Sequence, residues 1–266
     1  MLLIKAGGGK DINWDGVCRD IAELWLSEPV ILVHGASVLR DELAARLSIP
    51  VKKVISPSGV TSVYTDREAI EVFLMAYAGL ANKRIVALLL GQGVKAVGLC
   101  GVDGKLWEAK AKKEILVRES GKTKLLKNNL TGRVERINAE LLRLLLEHRY
   151  LPVVCAPAVS FENEIVNTDN DTAAAVMAGE MGVRRMVYLF EAPGLLRDPD
   201  DERSVIRRIG KFEIEAFLPF ARERMKKKIL GVKRAVEAGV EAVFFGDGRT
   251  QNPVKNALAG QGTVID

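Results

Sequence analysis

The sequence predicts an α/β fold, a three-layer sandwich in which a mainly parallel open sheet carries helices on both faces. Three observations predict it. Short apolar runs that suit buried strands alternate with amphipathic, helix-length segments along all 266 residues. Several of the strand candidates run into loops rich in Gly, Ser and Asn, the end of an open α/β sheet at which ligands bind. The chain is 48 % hydrophobic, enough for a sizeable core, and no repeat or low-complexity stretch breaks the alternation.

Leu2, Leu3 and Ile4 form the first strand, closed by Lys5 and by Gly7, Gly8 and Gly9. A lysine that ends a buried strand beside bare glycine donors makes an anion site, most often for phosphate. A tight turn with a snorkelling lysine is the alternative. The spacing is not that of a G-x-x-x-x-G-K-[ST] loop. Residues 13–27 follow as an amphipathic helix with Val17, Ile21, Leu24 and Trp25 on one face. A strand at 30–33 runs into the tight loop His34-Gly35-Ala36-Ser37 and a helix at 38–47. A short strand at 51–55 and a turn at 56–59 come next. Asp66 is placed to cap a helix reaching to about residue 80, and a further helical segment covers 82–91. A strand at 94–99 precedes extended polar structure at 107–126, with a hairpin turn at Gly121.

Asn138 caps the next helix, to residue 148, and 151–155 is a strand. Asp169 or Asp171 opens an alanine-rich helix to residue 182. Strands at 186–190 and 240–245 flank a long helix at 221–238. A helix at 253–259 and a strand at Thr263–Ile265 end the chain. A soft boundary at 157–167 divides the chain into lobes 1–160 and 161–266.

Composition narrows the function classes. Cys18, Cys100 and Cys155 are far apart and odd in number, so neither a disulfide framework nor a zinc site is expected. Two histidines are too few for a histidine-based metal site. No segment approaches the roughly 20 apolar residues of a membrane span, and no charged-then-apolar leader opens the chain, so a cytoplasmic location is expected. Gln is scarce while Lys, Arg and Glu are abundant, a thermophile-like balance. Net charge is +5, but residues 105–136 alone hold ten Lys or Arg against four Glu. Basicity concentrated in one segment predicts a docking surface for an acidic partner. The segment has one aromatic, Trp107, so it lacks a stacking platform for nucleic acid.

In order along the chain, Lys5-Ala-Gly-Gly8, His34-Gly-Ala36, Asn167-Thr-Asp-Asn-Asp171 and Arg224-Met-Lys-Lys-Lys228 resemble the K-x-G-G, H-G-G, N-x-x-x-D and G-M-x-x-K segments of the amino acid kinase family, of the N-acetylglutamate kinase type. The basic insert followed by Thr131-Gly-Arg-Val-Glu135 resembles, more narrowly, the kinases that act on 2-aminoadipate or glutamate attached to an amino-group carrier protein in lysine and arginine synthesis. The resemblance implies ATP-dependent phosphorylation of a side-chain carboxylate. Such a carboxylate is already ionised at neutral pH and needs no general base.

Lys5 and Lys228 are then implied as catalytic cations, with Asp171 holding both. Gly35, Ala36, Val63 and Asn167 are implied in acceptor binding. Gly8, Gly9, Glu191, Gly194 and Met225 are implied at the phosphates and nucleotide. Lys112, Lys113, Lys122, Lys124 and Lys127 are implied in carrier docking. Mg²⁺ would arrive on ATP, without a dedicated protein cage. A homodimer is implied through the helix after Asp66, with no nucleic-acid or membrane partner.

Four positions depart from the pattern: Ala36 for glycine, Val63 for arginine, Arg224 for glycine, and Phe190-Glu-Ala-Pro-Gly194 for [ST]-[DN]-V-x-G. Arg67 is the nearest cation that could replace the one missing at Val63. A kinase of free N-acetylglutamate and a non-catalytic regulatory paralogue are the competing readings.

Overall fold

In the computed structural model, β1 (Leu2–Ala6) lies at the middle of the main sheet, between β2 (Val30–His34) and the later strand at Arg185–Phe190. The structure describes residues 1–57, 59, 61–119, 121–221 and 223–266, with the side chains of Glu223 and Arg224 excepted. The turn residue Ser58, the hairpin residue Ser120 and the Arg224 departure therefore lie outside what is described.

The remaining strands are β3 (Lys53–Ile55), β4 (Thr61–Val63), β5 (Ala96–Gly101), β6 (Trp107–Lys112), β7 (Ile115–Glu119), β8 (Lys122–Leu126), β9 (Thr131–Ile137), β10 (Leu151–Ser160), β11 (Ile165–Thr168), β12 (Arg185–Phe190), β13 (Arg208–Ile209), β14 (Ala242–Asp247) and β15 (Thr263–Ile265). The helices are α1 (Trp14–Trp25), α2 (Ser37–Arg46), α3 (Arg67–Phe73), α4 (Asn82–Gly91), α5 (Ala139–Glu147), α6 (Asn170–Glu180), α7 (Glu223–Glu237) and α8 (Pro253–Leu258).

Eleven strands form the main sheet in the order β11-β9-β6-β10-β2-β1-β12-β14-β15-β13, with β5 also pairing β10. Most pairings are parallel; β6–β9, β10–β11 and β14–β15 are antiparallel. Alternate residues of β1 face opposite layers. Leu3 joins one core with Ala173, Ala174 and Met177 of α6, and Leu2 and Ile4 join the other with Val17 and Ile21 of α1. The predicted three-layer arrangement is thus present. The chain leaves β1 toward β2 on one side and returns at β12 on the other. That makes the C-terminal end of β1 the switch point where such sheets bind ligands.

Several expectations are corrected. The 51–55 strand does not continue the main sheet: β3 joins β4, β7 and β8 in a separate antiparallel four-stranded sheet. The basic segment is therefore split. Its outer parts, β6 and β9, belong to the main sheet, and only β7–β8 form the projecting hairpin, turning at Gly121 with φ +77°. Trp107 is fully buried, not part of a polar surface. The strand expected at 151–155 runs on to Ser160 and pairs with β11 across a turn at 161–164.

The segment Arg67–Gly91 is one helical run of 25 residues, π-wound from Leu74 to Ala81. At a mean hydropathy of 1.5 it has the length and apolarity of a membrane span, against the expectation that no segment would. Its first half puts Ile70, Phe73 and Tyr77 into one core, and its second half puts Ile85 and Leu89 into the other. Asn82, buried at the junction, donates to the Val153 carbonyl at 2.9 Å. That is the pattern of a core helix wrapped around a sheet edge. Met75, Leu80 and Leu90 remain exposed on its outer side.

Candidate active site

Three elements deliver charge to one point. Lys5 ends β1, Asp171 sits in the first turn of α6, and Lys228 lies in α7. Lys5 Nζ is 2.6 Å from Asp171 Oδ1, and Lys228 Nζ donates to Asp171 Oδ2 at 3.1 Å. All three side chains are largely buried, at 6 %, 8 % and 12 % exposure for Lys5, Asp171 and Lys228. Burial alone would push the Asp171 carboxyl up. The two ammonium charges outweigh it and hold the group well below the usual carboxylate range. Lys5 is pulled down from the ordinary lysine value, first by burial and also by Lys228, against the pull of Asp171. Lys228 also lies over the Phe190 ring, 5.9 Å from its centroid.

The sequence explains why these elements meet. Asp169, not Asp171, caps α6, accepting from the Thr172 N–H at 2.8 Å. That leaves the Asp171 carboxylate to the lysines. Small residues let α6 and α7 close on one another. A β-carbon at Gly231 would stand 3.1 Å from the Asp171 carbonyl, and one at Gly179 would stand 2.8 Å from Ala238 Cβ. Asn170 Nδ2 donates to the His34 carbonyl at 2.9 Å, tying the start of α6 to the second glycine loop.

That loop packs on the first. Gly35 N donates to Ala6 O at 3.0 Å, and Val38 N donates to Gly8 O at 3.0 Å. Any β-carbon at Gly8 would overlap the backbone nitrogens of Ala36 and Ser37, so only glycine fits there. Gly9 faces the Glu191 carboxylate, whose Oε1 accepts from Asp11 N at 2.7 Å.

Asn167 and Val63 meet through Thr65. Asn167 Nδ2 donates to Thr65 Oγ1 at 3.1 Å, and Thr65 Oγ1 donates to the Val63 carbonyl at 3.2 Å. Gly194 stands apart, against Thr263 and Val205, and Met225 packs on the core. Arg67 is exposed at the start of α3.

The five lysines expected in carrier docking lie at the end of β6 and on or beside the β7–β8 hairpin. Lys113, Lys124 and Lys127 pair with Glu164, Glu119 and Glu114 at 2.9, 2.9 and 3.7 Å. Lys112 and Lys122 are exposed. No group of three His, Cys, Asp or Glu able to hold a metal occurs among the described residues.

Sequence reasoning passed over Arg40, which is buried near Val63, and Tyr188, whose hydroxyl has no partner among the described residues. Tyr188 pairs in register with Lys5 across β1 and β12. Its phenol is pushed well up by burial and then by Asp171 and Asp169. Its alternation along 186–190 would have flagged only a core residue.

A lysine–carboxylate–lysine cluster at the switch point of the sheet, beside two glycine loops that pack on one another, is an arrangement suited to phosphoryl transfer. The chain belongs to the amino acid kinase family, whose model matches residues 2–247. Among named relatives it is 47 % identical to the [LysW]-aminoadipate kinase of Deinococcus radiodurans over 266 residues, covering 100 % of this chain and 91 % of that one. It is 43 % identical to the [LysW]-aminoadipate kinase of Thermus thermophilus, covering 100 % of both chains. Among solved structures, N-acetylglutamate synthase from Neisseria gonorrhoeae superposes with a TM-score of 0.80 at 22 % identity. The match covers 99 % of this chain and 58 % of that longer one.

Proposed function

We propose that this protein is a kinase that transfers the γ-phosphoryl group of ATP to the side-chain carboxylate of 2-aminoadipate attached to an amino-group carrier protein, with carrier-linked glutamate as an alternative acceptor. The product is an acyl phosphate on the route to lysine or arginine. The observation that carries the reading is the buried pair of lysines held on Asp171 at the switch point of the sheet. Full-length relatives of that name support the acceptor.

An acceptor carboxylate oxygen attacks the γ-phosphorus while the bond to the β-phosphate oxygen breaks. No proton moves, so the chain supplies position and positive charge rather than a base. Lys5 and Lys228 flank the transferring group, and Asp171 fixes both ammonium groups. Gly8 and Gly9 offer backbone donors to the phosphates. Gly35, Ala36, Val63 and Asn167 form the acceptor side, in lobe 1–160 and at the start of lobe 161–266. Glu191, Gly194 and Met225 lie on the nucleotide side. Mg²⁺ enters as the ATP complex. Lys112, Lys113, Lys122, Lys124 and Lys127 guide an acidic carrier, with Lys112 and Lys122 the more available. Met75, Leu80 and Leu90 are the contact of a cytoplasmic homodimer through the long helix.

The test is a hydroxamate assay of acyl phosphate formation across carrier-linked aminoadipate, carrier-linked glutamate and free N-acetylglutamate. Turnover of the carrier-linked acceptors supports the reading. Turnover of N-acetylglutamate alone makes the protein a free-metabolite kinase, and no turnover of any acceptor makes it a regulatory paralogue.

A further inference from the structure

Phe190 stands where the sequence pattern calls for serine or threonine, and the structure gives its ring a use. It closes β12 at the switch end of the sheet and is 8 % exposed. Lys228 Nζ stands 5.9 Å from the ring centroid, within the roughly 6 Å over which an ammonium is drawn to an aromatic face. The same Nζ donates to Asp171 Oδ2 at 3.1 Å. One ammonium is thus held by groups on two elements, β12 and α6.

The ring is itself held. Phe245, fully buried on β14, meets it edge to face, with centroids 5.4 Å apart and ring planes at 82°. On the other side, a β-carbon at Gly7 would lie 3.9 Å from Phe190 Cα and Cβ, so the first glycine loop rests against this residue. Gly248 N donates to the Phe190 carbonyl at 2.8 Å. Backbone and ring are both pinned.

An ammonium on a flexible four-carbon stem needs more than one hold, because a single ion pair fixes its reach better than its direction. An aromatic face is a hold of a particular kind. It attracts the charge without an oxygen that competes for N–H donors. Lysine has three such donors, and Asp171 takes one. The others stay available to phosphoryl oxygens. A hydroxyl in place of the ring would take up a donor, and a second carboxylate would repel the phosphates.

We propose that Phe190 is a positioning residue for phosphoryl transfer, its ring face steering the Lys228 ammonium toward the transferring group. This rests on the kinase reading above and adds the group that aims one of its two cations.

The experiment follows acyl phosphate formation on the acceptor that wild type turns over. It compares wild type, Phe190→Leu and a series with one, two or three fluorines on the Phe190 ring. Each fluorine drains negative charge from the ring face with almost no change of shape. Phe190→Leu should lower kcat about 5-fold or more. Along the fluorinated series log kcat should fall steadily, to about 5-fold below wild type at three fluorines, with the KM for ATP changed less than about 2-fold. The melting temperature should stay constant along the series. In a Lys228→Met background kcat should be flat along the same series.

A flat series with Lys228 present overturns the proposal even where Phe190→Leu is slow, because packing alone then explains the leucine. A series that falls equally in the Lys228→Met background overturns it too, because the ring face then acts on some other group. Should Phe190→Leu not fold, the fluorinated series decides alone. Wild type that turns over no acceptor refutes the kinase reading and Phe190 with it. Wild-type turnover with a flat series refutes Phe190 alone.

Discussion

Lys228 Nζ donates to Asp171 Oδ2 at 3.1 Å, joining α7 to the first turn of α6, while the other oxygen of the same carboxylate faces Lys5. One buried anion therefore keeps two like charges close together. Removing it should be costly, because each ammonium would lose its partner in a dry site. Asp171→Ala is expected to destabilise the fold by about 3–5 kcal/mol, measured by urea unfolding. Lys5→Met and Lys228→Met each leave Asp171 with one cation. They should keep most of the stability, lower kcat by about 100-fold or more, and change the KM for ATP far less. A kcat near wild type in either variant would remove that lysine from the mechanism.

His34 is fully buried, with its Nε2 3.1 Å from Asn82 Nδ2. Burial, and to a lesser extent Lys83, lowers its pKa to about 4, against a hydrogen bond with Gly35 that raises it. Between pH 6.5 and 4 the unfolded chain binds a proton that the folded chain refuses, so stability falls as pH falls through that window. The loss should reach about 3 kcal/mol below pH 4. Asp171, whose folded pKa is depressed, adds acid lability as pH drops below the ordinary carboxylate range. Urea midpoints from pH 7.5 to 4 test this; a flat profile from pH 6.5 to 4.5 would contradict a neutral His34.

Gly9 and Glu191 should behave as a coupled pair. A methyl group at Gly9 would overlap the Glu191 carboxylate, a flexible group that can be trimmed away. Gly9→Ala is expected to lower the melting temperature, and Glu191→Ala to restore much of that loss in the double variant. Gly8→Ala meets backbone on its hindered side and should find no such rescue. Additive losses for Gly9 and Glu191 would show that the contact does not constrain the loop.

Charge reversal at Lys122, Lys124 and Lys127 should raise the KM for a carrier-linked acceptor and leave that for ATP unchanged. The wild-type carrier KM should rise with salt. Lys122→Glu alone should outweigh Lys124→Glu, because Lys124 is already partly neutralised by Glu119. A carrier KM indifferent to both salt and reversal would move docking elsewhere.

What the sequence makes legible is local. The Asp66 and Asn138 caps are found as read, accepting from Ala69 N and Leu141 N at 3.0 and 3.1 Å, and so is the Gly121 turn. The amphipathic α1 and the strand ends at Lys5 and His34 are likewise plain from period and turn chemistry. Pairing partners are less so. Nothing in residues 51–55 states that they join the hairpin rather than the main sheet, because three residues of strand carry no register information. The short strands β4, β11 and β13 pass unseen for the same reason. Trp107 reads as part of a charged stretch, since alternation hides one inward face among many lysines. Arg40 reads as a solvated helix residue because its burial depends on Val63 and Phe73, far along the chain.

The near-contact of α6 and α7 at Gly231–Asp171 and Gly179–Ala238 has a mechanical consequence. Glycine at these two points brings the backbones close, so a shift of one helix is expected to be passed to the other. If nucleotide displaced α7, Asp171 and Asn170 would be expected to follow, and Asn170 donates to the His34 carbonyl in the loop proposed for the acceptor. Occupancy of one proposed pocket would then be expected to change affinity at the other. Whatever factor a non-hydrolysable ATP analogue imposes on acceptor affinity, the acceptor must impose on the analogue. Gly231→Ala, by wedging the two helices apart, should shrink both factors together in paired titrations.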